Sequence, residues 1–227
     1  LNNIITGNSA ANSLNGNDGH DTINGREGGD TMAGGAGFDS YTVDNIGDTV
    51  IENFDAGTDK ISSSVTYALP LNVENLELTG TVVINGTGNN LSNSITGNSA
   101  NNLLNGSDGN DILNGGRGTN TLTGGAGNDI FRFTTPGHVD TITDFNVADD
   151  TIEIENSLFT ALNTLGALAP DQFRIGAQAA DPNDFIIYNS TTGVLIYDAN
   201  GNGAGGTVQI AKIGLGLALT NADIVVI

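Results

Sequence analysis

Residues 16–42 read GNDGHDTIN, GREGGDTMA and GGAGFDSYT, and residues 106–132 read GSDGNDILN, GGRGTNTLT and GGAGNDIFR. Each nine-residue unit opens with glycine at place one and usually repeats it at place four; place six is an acid or amide and place eight is apolar. Places one to six are typical of a turn. Places seven to nine are typical of a short strand, in which only place eight points inward. This repeat predicts an all-β parallel β-roll, a solenoid with two units in each turn.

The two blocks of units are in step with each other. ITGNSAANSLNG begins at Ile5 and ITGNSANNLLNG at Ile95, an offset of 90 residues, or ten units. We therefore expect one roll, with a first block over 1–51, a second block over 88–132, and a degenerate stretch over 52–87 between them. That stretch should hold longer strands, ISSSVTYAL, VENLELTG and TVVING. The alternative is a small separate sheet between two short rolls, which would expose apolar ends.

Beyond Phe133 the nine-residue pattern stops, and residues 133–227 are predicted to form an antiparallel β-rich cap of the kind that a solenoid needs. VDTITDFNVADDTIEI alternates like a half-buried strand pair, FIIYNSTTGVLIYD is typical of a hairpin, and VQIAKI and DIVVI are further strands. SLFTALNTLGAL indicates a short helix. DANGNG is half of an EF-hand loop but lacks its glutamate, and we interpret it as a polar hairpin turn. Since Leu1 falls inside a repeat, we expect more protein upstream.

Composition narrows the classes of partner. The formal charge of −20 disfavours nucleic acid, anionic membranes and anionic polysaccharide, and favours cations. No apolar run is long enough to span a membrane. The chain has no cysteine, so bound metal is the expected cross-link in place of disulfides.

Stacked turns suit calcium, which prefers about six to eight oxygen ligands from carboxylates and carbonyls. One turn cannot supply so many, whereas two stacked turns can. With these units the chain resembles the RTX (repeats-in-toxin), or hemolysin-type, calcium-binding repeat family. The resemblance implies a calcium ion between stacked turns. The carbonyls of places two and four of the earlier turn, those of places one and three of the later turn, and both place-six side chains would hold it.

The resemblance implies the following ligand residues and about five to eight ions in all. In the first block they are Asn8, Ala10, Asn12, Asn17, Asp18, Gly19, Asp21, Gly25, Arg26, Glu27, Gly28, Asp30, Gly34, Ala36, Asp39, Val43, Asn45 and Asp48. In and just beyond the second block they are Asn89, Leu91, Asn93, Gly106, Ser107, Asp108, Gly109, Asp111, Gly116, Gly118, Asn120, Gly124, Ala126, Asp129, Asp140 and Asp144.

The predicted sites are not equal. Asn102 and Asn120 would face each other without a carboxylate, which predicts a weak site because affinity follows ligand charge. Ala10 and Ala100 replace the place-four glycine, which predicts altered turns. The D-x-I-x-D-F at Asp140 is similar to a motif after the last repeat of serralysin-type proteins. Its two acids either complete the last site, above Gly116, Gly118 and Asn120, or are solvated strand residues.

Catalytic signals are lacking in the sequence, which has no H-E-x-x-H, no G-x-S-x-G and no cysteine nucleophile. His20 and His138 lie in turns, and Glu74 and Glu77 are interpreted as surface acids. The final DIVVI is similar to the secretion signal of type I exporter substrates.

We therefore expect a non-catalytic, monomeric, calcium-binding RTX module that folds outside a bacterial cell and directs type I secretion of a larger protein. One alternative is an adhesin or ice-binding solenoid, suggested by the place-seven hydroxyl row Ser13, Thr22, Thr31, Ser40 and Thr49. Another is the polysaccharide-holding tail of a secreted enzyme.

Overall fold

Short parallel strands wind through the chain as a solenoid in the computed structural model, which describes residues 1–54 and 56–227. As far as residue 133, the strands are β1 (Ile4–Thr6), β2 (Ser13–Asp18), β3 (Thr22–Asn24), β4 (Thr31–Ala36), β5 (Ser40–Val43), β6 (Thr49–Ile51), β7 (Lys60–Ser63), β8 (Tyr67–Ala68), β9 (Asn75–Leu78), β10 (Gly86–Thr87), β11 (Ser94–Thr96), β12 (Leu103–Asp108), β13 (Ile112–Asn114), β14 (Thr121–Ala126) and β15 (Ile130–Phe133). They are followed by β16 (Asp140–Ile142), β17 (Thr151–Ile154), β18 (Gly166–Ala167), β19 (Phe173–Ile175), β20 (Ile186–Asn189), β21 (Val194–Asp198), β22 (Thr207–Lys212) and β23 (Ile224–Val226).

As far as β17, odd- and even-numbered strands separate onto the two faces of the solenoid. One sheet of 11 strands runs β1-β3-β5-β7-β9-β11-β13-β15-β17-β23-β18. On the other face, β2-β4-β6 form one sheet, and β8, β10, β12, β14 and β16 continue into β22, β21, β20 and β19 as a second. Within each block the register advances by two nine-residue units, as in the pairs Ile5 with Ile23 and Leu104 with Leu122. The fold is the all-β parallel β-roll that the repeat predicts.

Among the described residues, the middle stretch continues the large sheet from one block to the next, while the opposite face is divided into two sheets. Tyr41 pairs with Ile61, Ile61 with Leu76 and Leu76 with Ile95, in turns of 20, 15 and 19 residues. Together these turns span the 54 residues of three regular turns, which is why the two blocks are in step. The expectation of longer strands here is wrong, since β7 to β10 have two to four residues each and only Gly86 of TVVING belongs to a strand. The boundaries 1–51, 52–87, 88–132 and 133–227 stay predictions.

Place eight supplies the core, as expected from the inward direction of that residue. Ile23, Met32, Tyr41 and Val50 are buried, and the second block continues the row with Ile95, Leu104, Leu113, Leu122 and Phe131. Burying one such side chain contributes about 1.5–3 kcal/mol. Each unit offers one inward apolar side chain, so a turn becomes stable only when it is stacked on its neighbours.

The C-terminal region both extends and caps the roll. VDTITDFNVADDTIEI does not pair with itself, since its strands β16 and β17 enter opposite sheets as one more turn. β20 and β21 form the predicted hairpin, and DANGNG is the predicted turn into antiparallel β22. The predicted helix at 157–168 is wrong: among the described residues the helices are two 3-10 turns, Pro170–Gln172 and Asn221–Asp223. No helix in the described ranges has the length and apolarity needed to cross a membrane.

Candidate metal centres in the stacked turns

The glycine-rich turns have left-handed backbone at places two and four. Place two has positive φ at Asn17 (70°), Arg26 (65°) and Ser107 (85°), and place four at Gly19 (138°) and Gly109 (125°). A side chain in this region costs about 1–2 kcal/mol, which explains the glycine at place four. At place two, residues other than glycine adopt this left-handed conformation, so another interaction must stabilise it there.

Asparagine at place nine of the preceding unit provides that interaction. The N–H of Asn17 donates to Asn15 Oδ1 at 2.9 Å, and that of Ser107 to Asn105 Oδ1 at 3.2 Å. Arg26 and Gly116 do the same with Asn24 and Asn114. The place-two N–H is thus turned away from the place-six side chain of its own unit. Our sequence reasoning missed these asparagines, although their recurrence at place nine is visible in the repeat.

Place-six side chains form a ladder between successive turns. Asp39 Oδ1 accepts from Asp21 N at 2.7 Å, and Asp129 Oδ1 accepts from Asp111 N at 2.9 Å. On the other side of the roll Asp48 Oδ1 accepts from Asp30 N at 2.9 Å. Each rung therefore ties one turn to the next turn on the same side.

Apart from Asp48, these aspartates have a second carboxylate oxygen, Oδ2, without a hydrogen-bond partner in the described residues. Six Oδ2 atoms are buried without a hydrogen-bond partner in the described part of the chain, those of Asp21, Asp30, Asp39, Asp59, Asp111 and Asp129. Burial raises the pKa of Asp111 to about 6 and that of Asp59 to about 7, because desolvation disfavours the ionised form. Leaving a buried polar group unpaired costs about 1–3 kcal/mol, and more for a charged group. A bound cation removes that cost, so the ladder fits a metal whose ligands are oxygens.

Main-chain carbonyls converge on the same points. A Cβ at Gly106 would meet Asp111 Oδ2 and, at 2.5 Å, the carbonyl oxygen of Gly124. At Gly16 it would meet Asp21 Oδ2 and, at 2.7 Å, the Gly34 oxygen. The place-one glycine thus leaves room for a carboxylate of its own unit and a carbonyl of the next turn. That donor set, anionic carboxylate oxygen together with neutral carbonyl oxygen, is the one calcium prefers.

Register also brings the predicted turns together. Asn17 lies beside Gly35 and Asp18 beside Ala36, and Ser107 lies beside Gly125 and Asp108 beside Ala126. Asp18, Glu27 and Asp108 stand at place three, where the ligand pattern of the family uses the main-chain carbonyl. Their side chains are exposed, which agrees with a role for the carbonyl and not for the carboxylate.

Three turns with asparagine at place six, those of Asn12, Asn93 and Asn102, are closed by their own hydrogen bonds, whereas the turn of Asn120 is open like those of the acids. Asn12 Oδ1 accepts from Asn8 N at 2.7 Å, and Asn93 Oδ1 accepts from Asn89 N at 2.7 Å. Neither Asn8 nor Asn89 is among the residues with positive φ in the described ranges. The turns that hold Ala10 and Ala100 are of this kind, so the predicted alteration is present. Their amide oxygens are already satisfied, which makes Asn8, Asn12, Asn89 and Asn93 poorer calcium ligands than the acids.

The turn that holds Asp48 is closed in the same way, because Asp48 Oδ2 accepts hydrogen bonds from Asp44 N and Asn45 N, both at 3.1 Å. Val43, Ala10 and Leu91 could contribute only main-chain oxygens to the sets predicted for them.

Asp140 and Asp144 go to different places. Asp140 Oδ1 accepts from Asn120 N at 2.8 Å and continues the ladder, and burial raises its pKa to about 6. Asp144 instead accepts from Gly124 N at 3.0 Å and Gly125 N at 2.9 Å. Asp140 therefore lies against the turn of Gly116, Gly118 and Asn120, while Asp144 lies against the next unit.

Comparison with known proteins agrees with this geometry. Residues 2–41, 87–122 and 106–132 match the model of the RTX calcium-binding nonapeptide repeat, in 4 copies. The fold and the turns define a calcium-binding repeat module. These segments of the chain belong to the RTX, hemolysin-type repeat family. No curated protein matches the chain.

Proposed function

We propose that this chain is a non-catalytic, monomeric module whose folding depends on calcium, in a secreted bacterial protein exported by a type I system. The observation that carries the proposal is the set of six buried aspartate oxygens without hydrogen-bond partners in the described residues. At Asp21 and Asp111 these oxygens lie beside the place-one carbonyl of the next turn, and both acids fall within segments that match the RTX calcium-binding repeat.

Charge explains why folding should wait for metal. The chain carries a net charge of −20, and the fold stacks its carboxylates on one another in ladders. Without cations, repulsion and desolvation oppose the folded state. Metal that binds only the folded state adds its binding free energy to folding. Extracellular calcium modules bind at about 10⁻⁴–10⁻³ M, well above cytosolic calcium, so the chain would stay unfolded until it reaches the outside.

The C-terminal strand supports the link to export. Ile224 and Val226 are buried, and β23 pairs with β17 inside the large sheet. An exporter could therefore read DIVVI only before the chain folds. In a type I export assay, deletion of residues 223–227 should leave the chain inside the cell, whereas undiminished export would refute this part of the proposal.

Circular dichroism tests the folding proposal directly. With chelator we expect the spectrum of an unfolded chain, and with millimolar calcium the spectrum of a β-solenoid. Magnesium at the same concentration serves as the matched control, because it needs near-octahedral geometry and keeps its waters. Equal β content in chelator and in calcium would refute calcium-dependent folding.

A second candidate function, ice or surface binding, has one observation in its favour. Ser13, Thr31 and Thr49 stand in register on the three-stranded sheet. In the second block the matching row holds exposed Leu103 beside Thr121, so the hydroxyl row does not continue. Thermal hysteresis of the calcium-loaded protein would decide between the two.

A further inference from the structure

At the end of the first block, three acids form a group that none of the predicted ligand sets contains. One carboxylate oxygen each of Asp39, Glu52 and Asp59 lie within 4.8 Å of one another. The three residues are 2%, 8% and 0% exposed, respectively. Sequence reasoning predicted Asp39 alone, since Glu52 and Asp59 stand where the nine-residue pattern has ended.

Asp59 continues the place-six ladder although it lies in an irregular turn. Its Oδ1 accepts from Asp39 N at 2.7 Å, as Asp39 Oδ1 does from Asp21 N. The Oδ2 atoms of Asp39 and Asp59 are both buried and lack hydrogen-bond partners in the described residues. Lys60 does not neutralise them, since its Nζ lies 2.6 Å from Glu77. Two unpartnered anionic oxygens in one buried cluster indicate a cation.

Glu52 occupies the position that a main-chain carbonyl holds in the regular turns. A Cβ at Gly16 or Gly106 would meet the carbonyl of the next place-one glycine, whereas a Cβ at Gly34 would meet Glu52 Oε1 at 2.5 Å. The stretch after Asp48 has no place-one glycine to stack there, and a side-chain oxygen stands in for the missing carbonyl. Tyr41 donates its hydroxyl hydrogen bond to Glu52 Oε1, which fixes that carboxylate at the cluster.

The end of the second block shows that this cluster is particular to the first. Asp144 follows the corresponding strand, but it is one methylene shorter and binds the N–H groups of Gly124 and Gly125. Phe131 stands in the place of Tyr41 and has no hydroxyl. Among the described residues, only Asp39, Glu52 and Asp59 form a group of three acids close enough to share a metal ion.

We propose that Asp39, Glu52 and Asp59 bind a calcium ion that closes the first repeat block, with Tyr41 as the positioning residue for Glu52. The site rests on the proposed calcium-dependent function and adds to it a donor set of three carboxylates that the nonapeptide does not specify. Its negative charge predicts tighter binding than at turns that offer one or two carboxylates.

The test compares the full chain with Glu52→Gln by calcium titration calorimetry and by counting ions in native mass spectrometry. We expect Glu52→Gln to bind one ion fewer and to keep the others. Asp171→Asn, which removes an exposed carboxylate outside the repeats, should bind the full number. If Glu52→Gln binds as many ions as the unchanged chain with the same affinities, the inference is wrong while calcium binding stands. If the unchanged chain binds no calcium, the proposed function itself fails.

Terbium luminescence gives a second readout that does not depend on removing a ligand. Terbium replaces calcium and is excited through a nearby phenol, so Tyr41 should sensitise an ion at this cluster. Tyr41→Phe keeps all three carboxylates and should bind the same number of ions with a clear loss of tyrosine-sensitised emission. Undiminished emission from Tyr41→Phe would overturn the placement of the ion.

Discussion

Asp111→Asn should change stability in opposite directions with and without calcium. Asp111 is fully buried, its Oδ2 has no hydrogen-bond partner in the described residues, and burial raises its pKa from 3.8 to about 6. A folded-state pKa above the unfolded value means that ionisation opposes folding, so stability falls as pH rises from about 4 to about 6. Above that range the cost is on the order of 3 kcal/mol for the metal-free fold. Asparagine cannot ionise, and it can keep the hydrogen bond from Asn93 N.

With calcium bound, the same change removes a charged ligand. We expect binding at this turn to weaken by about ten- to a hundredfold, which corresponds to roughly 1.4–2.8 kcal/mol. In chelator the unchanged chain is expected to be unfolded, so the first effect is measured as the concentration of a stabilising osmolyte needed to fold each chain, followed by circular dichroism. Urea unfolding in millimolar calcium at neutral pH measures the second effect. Asp171→Asn removes an exposed carboxylate outside the repeats and should leave both curves in place. Equal destabilisation of Asp111→Asn in both conditions would refute the reasoning, because the buried charge would then not oppose the metal-free fold.

Three further predictions follow from the same geometry. Calcium affinity should fall as the pH drops, because protons compete with calcium for the carboxylates; the fall should begin near the raised pKa of Asp59, about 7, and continue through that of Asp111, about 6. An affinity measured by calorimetry that does not change with pH would contradict this. Gly106→Ala should lower the free energy of unfolding in calcium by about 1–3 kcal/mol, since its Cβ would meet main-chain oxygen at 2.5 Å. Gly176→Ala is the control, because the nearest atom there, at 3.2 Å, belongs to the flexible Arg174 side chain. Equal shifts in melting temperature for the two variants would contradict the steric argument. Asn120→Asp should strengthen calcium binding at the turn that Asp140 covers, and an unchanged calorimetric titration would show that charge does not limit this site.

The periodic features of this protein could be predicted from sequence because they repeat. One inward residue in nine forms the core, and one acid in nine forms the ladder. Each feature is therefore predicted many times over, and a unit that departs from the pattern does not change the prediction. The same periodicity explains the step of 90 residues, since the irregular turns of 20, 15 and 19 residues add up to whole turns. Individual strands in that stretch could not be placed, because nothing in the pattern fixes how three turns share their residues.

Features that occur once were missed for the same reason. Glu52 and Asp59 look like scattered acids in the sequence, and only the fold brings them to Asp39. The helix predicted at 157–168 failed because its apolar residues are held by distant partners: Phe159 stacks edge-on against Tyr197, with ring centroids 5.1 Å apart. The C-terminal DIVVI was visible as a short motif, but its burial in β23 required the sheet order.

The ladder of place-six side chains makes each metal centre depend on its neighbour. Asp39 accepts from Asp21, and Asp59 accepts from Asp39, so a carboxylate that orders one turn also fixes the backbone of the turn before it. Calcium bound at one turn would therefore pre-organise the adjacent turn and lower the entropic cost of binding the next ion. A closed amide turn stays linked to both neighbours by other bonds and adds no charge: Asn93 Oδ1 accepts from Asn89 N of its own unit, its side-chain amide donates to the Glu74 carbonyl, and its N–H donates to Asp111. Amide turns thus act as uncharged spacers, which limit the repulsion in the metal-free chain while they carry the register from one calcium-binding block to the next.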